Sequence, residues 1–162
     1  MIIKYSELNK PQKDQVEEIF FINSNKSFDS NDEQEEFKNK WLVPYIKNSN
    51  FFYVMLIDQE VVGYINGHKE TRLENSEFSS LLIQFPAHLH INFSPKFQSK
   101  GYGSKLVNYF CDQLIDLSIV GIHLITSPTS SNVRFYQRNG FTFSKLSSCK
   151  KYLFMGRELN NL

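Results

Sequence analysis

Residues 98–103 read Gln-Ser-Lys-Gly-Tyr-Gly and come directly before a segment whose apolar residues recur at helical spacing. This spacing predicts a long helix beginning at Gly103. The apolar positions are Leu106, Val107, Phe110, Leu114 and Leu117. The first N–H groups of a helix have no partners inside it, and glycines allow a tight turn, so the segment suits a bound pyrophosphate.

Two glycines before a helix also occur in ordinary tight turns, so this signal is weak alone. A dinucleotide-binding fingerprint is an alternative interpretation, but that fingerprint requires a third glycine at the position where this chain has Leu106. The preceding segment, Ala87–Phe93, alternates between two kinds of side chain. One face would carry Leu89, Ile91 and Phe93, and the other His88, His90 and Asn92. This alternation predicts a strand with two chemically different faces.

The remaining pattern predicts the order β-α-α-β-β-β-α-β-α-β-β, a mixed α/β arrangement with a helix-covered sheet. Before the strand Ala87–Phe93 we expect a strand at 1–5 and a helix from Pro11 that buries Val16, Ile19 and Phe20. A second helix is expected at 33–46. That second helix should bury Phe37, Trp41, Leu42 and Tyr45, with Pro44 bending or ending it. A hairpin of 51–57 and 61–67 around Asp58-Gln59 and a long loop at 68–86 follow. After the long helix come a strand at 121–126, a short helix capped by Ser131 and ended by Gly140, and strands at 141–143 and 152–155.

The composition points to one globular domain spanning residues 1–162. Eighteen Lys and Arg against seventeen Asp and Glu give a formal charge of +1, which offers no field for nucleic acid or an anionic membrane. Cys111 and Cys149 lack metal-type spacing and are expected to be reduced thiols, and no metal is expected. No signal peptide or membrane-spanning run is evident, so we expect a cytoplasmic protein.

The second motif is Asn132-Val-Arg-Phe-Tyr-Gln-Arg-Asn-Gly-Phe141. Together with residues 98–103 it resembles the GNAT superfamily of N-acetyltransferases. The family's phosphate turn reads Gln/Arg-x-x-Gly-x-Gly/Ala, and its later helix ends in Phe-Tyr-x-x-x-Gly-Phe, which residues 135–141 match. The segments 85–91 and 121–124 further resemble a branch of bacterial GNAT proteins and the acetyltransferase-like domains of O-GlcNAc hydrolases.

The resemblance implies a GNAT fold: a central mixed, mostly antiparallel sheet of six to seven strands, flanked by about four helices and splayed between the fourth and fifth strands. It implies an acyltransferase that uses acetyl-CoA as co-substrate and a primary amine as acceptor, without a metal. The backbone of the fourth strand would pair with the pantetheine arm, and the turn would hold the pyrophosphate. The implied cofactor-binding residues are Ile91, Asn92, Phe93, Gln98, Ser99, Lys100, Gly101, Tyr102, Gly103, Ser104, Thr129, Asn132, Phe135 and Tyr136.

By the same resemblance Tyr136 would protonate the leaving thiolate, and a phenol is a donor at neutral pH. A base for the amine is less constrained: His90 and His88 share a strand face and titrate in the right range, but a water chain would also serve. Where the family often has Asn seven residues before the tyrosine, this chain has Thr129, and Asn132 lies four residues before it. The hydroxyl of Thr129 would then supply the hydrogen bond to the cofactor from this segment.

Three function classes stay open from the sequence. The first is an enzyme that acetylates a small-molecule or peptide amine. The second is a non-catalytic GNAT-like module that holds acyl-CoA or a partner protein, and the third is a nucleotide-binding module. Glu70, Glu74 and Glu77 would attract a cationic amine or form an ordinary solvated cluster. The sequence does not identify the acceptor, and it leaves a homodimer open.

Overall fold

The computed structural model describes residues 1–73 and 76–159. Its strands are β1 (Ile2–Lys4), β2 (Phe52–Ile57), β3 (Glu60–His68), β4 (Ala87–Phe93), β5 (Gly121–Thr126), β6 (Phe143–Leu146) and β7 (Leu153–Glu158). Its α-helices are α1 (Lys10–Ile22), α2 (Asn31–Trp41), α3 (Val43–Lys47), α4 (Tyr102–Ile115) and α5 (Val133–Arg138). Short 3₁₀ helices lie at Tyr5–Glu7, Ser49–Phe51, Ser79–Ile83 and Pro95–Phe97.

The strands form a seven-stranded sheet in the order β1-β2-β3-β4-β5-β7-β6. The pairs β1–β2, β2–β3, β5–β7 and β6–β7 are antiparallel. The pair β4–β5 is parallel and includes Ala87 opposite Ile122 and His88 opposite His123. This mixed, mostly antiparallel sheet with helices confirms the predicted fold class.

The hairpin between β2 and β3 follows from the two residues at its turn. Asp58 and Gln59 have φ values of 49° and 68°, so both are in the left-handed region. A two-residue turn with both φ values positive matches the twist of the strands that it joins. Ile57 accordingly pairs with Glu60 beside the turn, so the predicted hairpin is confirmed and its second strand begins one residue before the predicted Val61.

The second predicted helix is two helices in the structure, and the burial predicted for Trp41 is wrong. α2 ends at Trp41, and α3 begins at Val43 with Pro44 in its first turn. Pro44 lacks the N–H that a continuous helix needs, so the chain is interrupted at Leu42. The interruption changes which face is buried: Leu42 is 1% exposed, whereas Trp41 is 49% exposed with Lys40 Nζ 5.0 Å from its ring.

α4 buries the predicted side chains over most of its length. Leu106, Val107, Phe110 and Leu114 are fully buried. Leu117 was predicted to continue this face, and that is wrong, because the helix ends at Ile115 and Leu117 is 54% exposed. Ser118 follows at a φ of 59°, which turns the chain away from the helical path.

The C-terminal strands begin later than predicted. Phe141 was placed in a strand, but its N–H bonds the carbonyl of Tyr136 at 3.1 Å and thus closes the end of α5. β6 begins only at Phe143, and β7 runs from Leu153 to Glu158. The apolar run at 141–143 therefore combines a helix-ending residue with the first residue of a strand.

Contacts between Cα atoms divide the chain into two compact units. The first comprises residues 1–66 and 91–106, and the second comprises residues 67–90 and 107–162. In the first, the predicted core residues Val16, Ile19 and Phe20 of α1 pack in one cluster with Phe52 and Tyr64 of the sheet. In the second, Phe78, Phe85 and Phe154 form a cluster with Leu73, Leu81, Leu82 and Phe143 around it. The prediction of one domain over residues 1–162 stays a prediction.

Within residues 1–73 and 76–159, no helix has the length and apolar character needed to cross a membrane. Across the same residues, no group of three or more His, Cys, Asp or Glu side chains is arranged to hold a metal ion.

Candidate active site

The residues predicted for the site divide between the two units. The first unit holds the end of β4 and the turn into α4, namely Ile91, Asn92, Phe93, Gln98, Ser99, Lys100, Gly101, Tyr102, Gly103 and Ser104. The second holds α5, its approach and the start of β4, namely Thr129, Asn132, Phe135, Tyr136, His88 and His90.

The turn before α4 has the backbone that an anion site needs. Ser99 has a φ of 62° and Gly101 a φ of 79°, so two left-handed residues precede the first helical residue, Tyr102. Alternation of left-handed and right-handed residues turns successive N–H groups toward one point, and the helix start adds its own unpaired N–H groups. A Cβ placed on Gly101 would meet no atom within 4 Å, so the outer side of the turn is open.

The two lysines near the turn lie against aromatic rings in this structure. Lys100 Nζ is 5.3 Å from the ring centre of Phe97, and Lys105 Nζ is 6.0 Å from that of Tyr102. Both lysines are exposed, and long side chains of this kind reorient easily. A contact between Lys100 and a phosphate therefore stays a prediction.

The end of β4 is tied to its unit by side-chain bonds that the sequence did not reveal. The carbonyl of Phe93 accepts from Asn23 Nδ2 at 3.0 Å and from Gln98 Nε2 at 3.4 Å. Asn92 Nδ2 donates to the hydroxyl of Tyr64 at 2.8 Å. Both lone pairs of the Phe93 carbonyl thus have partners, so a ligand arm would bond this oxygen only by displacing one of them.

Asn66 on β3 is a second residue that sequence analysis missed. It is 2% exposed, and its Oδ1 is a buried oxygen without a hydrogen-bond partner among the described residues. Such an atom is rare in a folded protein and usually meets a water or a ligand donor. The sequence offered only one signal, an amide inside an otherwise apolar strand.

In the second unit, α5 presents the predicted acid. Tyr136 is 8% exposed, and its ring lies edge-on to Phe135 and Phe141, with centroids 5.2 Å and 5.7 Å away. Burial raises the pKa of Tyr136 to about 12. The phenol therefore keeps its proton throughout the neutral range, as a proton donor must.

The approach to α5 differs from the prediction. Ser131 was predicted as the cap, but the N-cap is Asn132, and its side chain makes no capping bond. Its backbone carbonyl accepts the N–H of Tyr136 at 3.1 Å. Thr129 is exposed, and its Oγ1 lies 3.0 Å from Ser127 Oγ. Neither Thr129 nor Asn132 is buried, and their contacts to a cofactor stay predictions.

All four histidines of the chain lie in the second unit and form one group of rings. The ring centre of His88 is 5.4 Å from that of His68, 5.6 Å from His90 and 6.1 Å from His123. Thr71 Oγ1 lies 2.6 Å from His88 Nδ1. The sequence predicted the pair on β4, whereas His68, His123 and Thr71 join it through the fold.

His123 has a structural role. Its Nδ1 lies 2.6 Å from the carbonyl of Phe85, and because a carbonyl only accepts, Nδ1 carries the proton. Its ring stacks on Phe154 at 4.8 Å with an interplanar angle of 12°.

Burial keeps these histidines neutral at pH 7. It lowers the pKa of His88 to about 3 and that of His90 to about 4, and it also lowers those of His68 and His123. The neighbouring imidazoles add to the effect at His88 and His90. His90 is exposed at the surface, whereas His88 is only partly exposed.

Of the three acidic residues that would attract an amine or form a solvated cluster, Glu77 is hydrogen-bonded to Ser148. The carboxylate of Glu77 accepts from the Ser148 N–H at 3.0 Å and from Ser148 Oγ at 2.8 Å. These bonds lower its pKa. Glu70 is exposed, and Glu74 lies outside the described residues.

Comparison with solved structures finds the same fold in several proteins. PH1933 from Pyrococcus horikoshii superposes with a TM-score of 0.76 at 20% identity, over 99% of this chain and 98% of that one. An aminoglycoside 6'-N-acetyltransferase complexed with coenzyme A gives 0.72 at 15%, over 100% and 98%. The PaiA N-acetyltransferase from Thermoplasma acidophilum, in complex with coenzyme A, gives 0.65 at 16%, over 98% of each chain.

A family model described as the acetyltransferase (GNAT) family matches residues 14–141. This span reaches from α1 through the phosphate turn and α5 to Phe141, so it contains both motifs. Its extent exceeds half of the chain, and the observed sheet has the mixed arrangement of that fold. The chain belongs to the acetyltransferase (GNAT) family.

Proposed function

We propose that this protein is an N-acetyltransferase that transfers an acetyl group from acetyl-CoA to a primary amine by direct attack. The observation that carries the proposal is the turn at residues 98–103 in a chain of this family. Its left-handed Ser99 and Gly101, open outer side and position before α4 fit a pyrophosphate held by backbone N–H groups. Two structural neighbours were solved with coenzyme A bound, which supports the same cofactor here.

In the proposed reaction, the amine nitrogen bonds to the thioester carbonyl carbon and the carbon–sulfur bond breaks. The thiolate then takes a proton, and the former amine loses one. Tyr136 would supply the first proton from its hydroxyl, which is protonated at neutral pH, and burial raises its pKa further to about 12. Holding both reactants in place would supply much of the rate.

His90 and His88 are the proposed side-chain acceptors for the proton of the amine. Both are neutral at pH 7 and can accept, but the lowered pKa values make each a weak base. His88 Nδ1 faces Thr71 Oγ1 at 2.6 Å. His90 is the more exposed residue and is therefore our first choice, acting directly or through water.

The proposal extends to the setting of the protein. A formal charge of +1 argues against a polyanion as the partner, so we propose a small-molecule or peptide amine acceptor. The free thiols of Cys111 and Cys149 fit a reducing compartment, so we propose a cytoplasmic location.

The testing experiment is the melting temperature of the purified chain with and without acetyl-CoA. Ligand at about 100 times its dissociation constant adds about 2.7 kcal/mol to the free energy of unfolding. For a chain of this size, this corresponds to a rise of roughly 5–10 °C. NAD and ATP serve as control ligands and should give no shift.

A rise specific to acetyl-CoA, followed by thiol release with members of an amine panel, would support the enzyme. A rise without thiol release for any amine would favour the non-catalytic acyl-CoA-binding module instead. No rise at all would contradict the cofactor assignment.

A further inference from the structure

The helix that carries Tyr136 is too short to hold its own position. α5 has six residues, and no side chain caps its start. Isolated helices shorter than roughly 12 residues are marginal in water, so tertiary contacts must fix α5. Because its N-terminal end lacks a side-chain cap, the contacts at its C-terminal end matter most.

Those contacts begin with Asn139. Its backbone N–H bonds the carbonyls of Phe135 and Tyr136 at 3.2 Å and 3.0 Å, and its Nδ2 donates to the Phe135 carbonyl at 2.8 Å. The N–H of Phe141 also bonds the Tyr136 carbonyl, at 3.1 Å. The backbone of Tyr136 is therefore bonded directly to the residues that end the helix.

Arg157 of β7 holds this end from outside. Its Nη1 donates to the Asn139 carbonyl at 3.0 Å and to Asn108 Oδ1 on α4 at 3.0 Å. Nη1 has two hydrogens, so both bonds form at once, and a charged donor strengthens them. A cation also interacts favourably with the C-terminal end of a helix dipole. One side chain thus joins β7, α4 and α5.

Gly140 lets the arginine lie there. Its φ is 87°, and a Cβ at this position would be 3.2 Å from both Cδ and Nε of Arg157. A side chain at position 140 would therefore meet both backbone strain and crowding against the arginine stem. The contact with Arg157 therefore explains why a glycine, Gly140, lies four residues after Tyr136.

We infer that Arg157 is a positioning residue that holds Tyr136 in its catalytic place by locking the C-terminal end of α5. The inference rests on the proposed function, because Arg157 is given the role of positioning Tyr136, the general acid of that reaction. Arg157 acts through Asn139 and the helix, not on the reacting atoms. If Arg157 only stabilised the fold in general, a change at Arg157 would loosen the whole unit equally. If Arg157 positions Tyr136, the same change would loosen the end of α5 more than the rest of the unit.

The first test is amide hydrogen exchange on Arg157→Met, which keeps much of the stem and removes the guanidinium. The amides of Asn139 and Phe141 should exchange about tenfold faster or more, while those of β5 change less, because the loss opens α5 locally. Arg138→Gln is the matched control: it removes a charge from the same helix end without touching the Asn139 carbonyl. Equal exchange in wild type and Arg157→Met, or an equal change throughout the unit, would overturn the inference.

The second test is a double-mutant cycle with Tyr136→Phe, measured as thiol release from acetyl-CoA with the amine panel. Arg157→Met should lower kcat on the order of tenfold, since small displacements of a catalytic group cost up to 100-fold. In the Tyr136→Phe background it should cost little further, while Arg157→Lys should restore part of the loss in the parent. Fully additive losses would contradict action through Tyr136.

The remaining outcomes distinguish a variant that does not fold, a failure of the proposed function and a failure of the role of Arg157. If Arg157→Met does not fold, Asn108→Ala replaces it, because this change removes one acceptor of Nη1 and leaves the arginine itself. Absence of thiol release by the wild-type protein would end the proposed function and the catalytic purpose of Arg157 with it. Additive losses in an active enzyme would end the Arg157 inference alone.

Discussion

Tyr136 is the residue on which the proposed chemistry depends most. Tyr136→Phe removes only the hydroxyl from a side chain held by Phe135 and Phe141, so the fold should persist. We expect kcat to fall by about 10²-fold or more, because general acids contribute about that much. The dissociation constant of acetyl-CoA, measured by calorimetry, should stay within a factor of about three. Unchanged turnover would contradict the acid role.

Gly101 tests the phosphate turn at the same scale. Gly101→Ala should cost roughly 1 kcal/mol of stability because a φ of 79° strains any side chain, although the added Cβ meets no neighbour. Calorimetry should show weaker acetyl-CoA binding, since the strained turn no longer presents its N–H groups together. Lys100→Ala is the neighbouring control: it removes a charge and leaves the backbone intact. A larger loss of affinity with Lys100→Ala would transfer the main role to the lysine.

At the scale of elements, the start of β4 makes stability depend on pH. His88 has a pKa of about 3 in the folded chain against 6.5 in an unfolded one. As the pH falls below 6.5, the unfolded chain takes up a proton that the folded chain refuses, so the free energy of unfolding decreases until about pH 3. The contribution is fully present above pH 6.5.

We therefore expect His88→Asn to lose less stability than the wild type on acidification. The slope difference should approach about 1.4 kcal/mol per pH unit, and urea unfolding at pH 5.5 and 4.5 would measure it. The other histidines titrate in both proteins and cancel in the comparison. Equal slopes would show that His88 is not protected from protonation.

The buried face of α4 gives a matched pair of substitutions. Leu106 is fully buried, so Leu106→Ala should cost about 2–5 kcal/mol by urea unfolding. Leu117, which follows the helix and is 54% exposed, should lose no more than about 0.5 kcal/mol on the same change. Comparable losses at both positions would contradict the observed end of the helix.

At the scale of the whole molecule, two units share three elements. β3 passes from one unit to the other after Asn66, β4 after His90 and α4 after Leu106. A strand or helix forms cooperatively along its length, so we expect one unfolding transition. Trp41 fluorescence would report the first unit, and labelling of Cys111 in a Cys149→Ser background would report the second.

Cys111 is a suitable reporter because it is fully buried and burial raises its pKa to about 11, so its thiol should react only after opening. Coincident urea midpoints for the two reporters would confirm one cooperative domain over residues 1–162. Separate midpoints would show two domains and contradict the prediction from length.

Local patterns predicted most of the elements because their causes are local. The alternation in Ala87–Phe93 predicted β4 with its observed bounds. The pair Asp58-Gln59 predicted the hairpin turn, and Gly140 predicted the end of α5. Pro44 predicted the interruption of the second helix, but not that a separate helix, α3, would begin beside it at Val43.

The sequence by itself therefore determined the family, the mixed sheet and the identity of the turn and tyrosine motifs, since these depend on spacing and backbone geometry along the chain. Only the tertiary structure revealed the Asn23 bond to Phe93, the group of four histidines and the contact of Arg157 with Asn139. Asn23 and Phe93 are 70 positions apart, and Arg157 and Asn139 are 18 apart. Pairing at such separations is decided by how strands and helices pack, which leaves no periodic trace in the sequence.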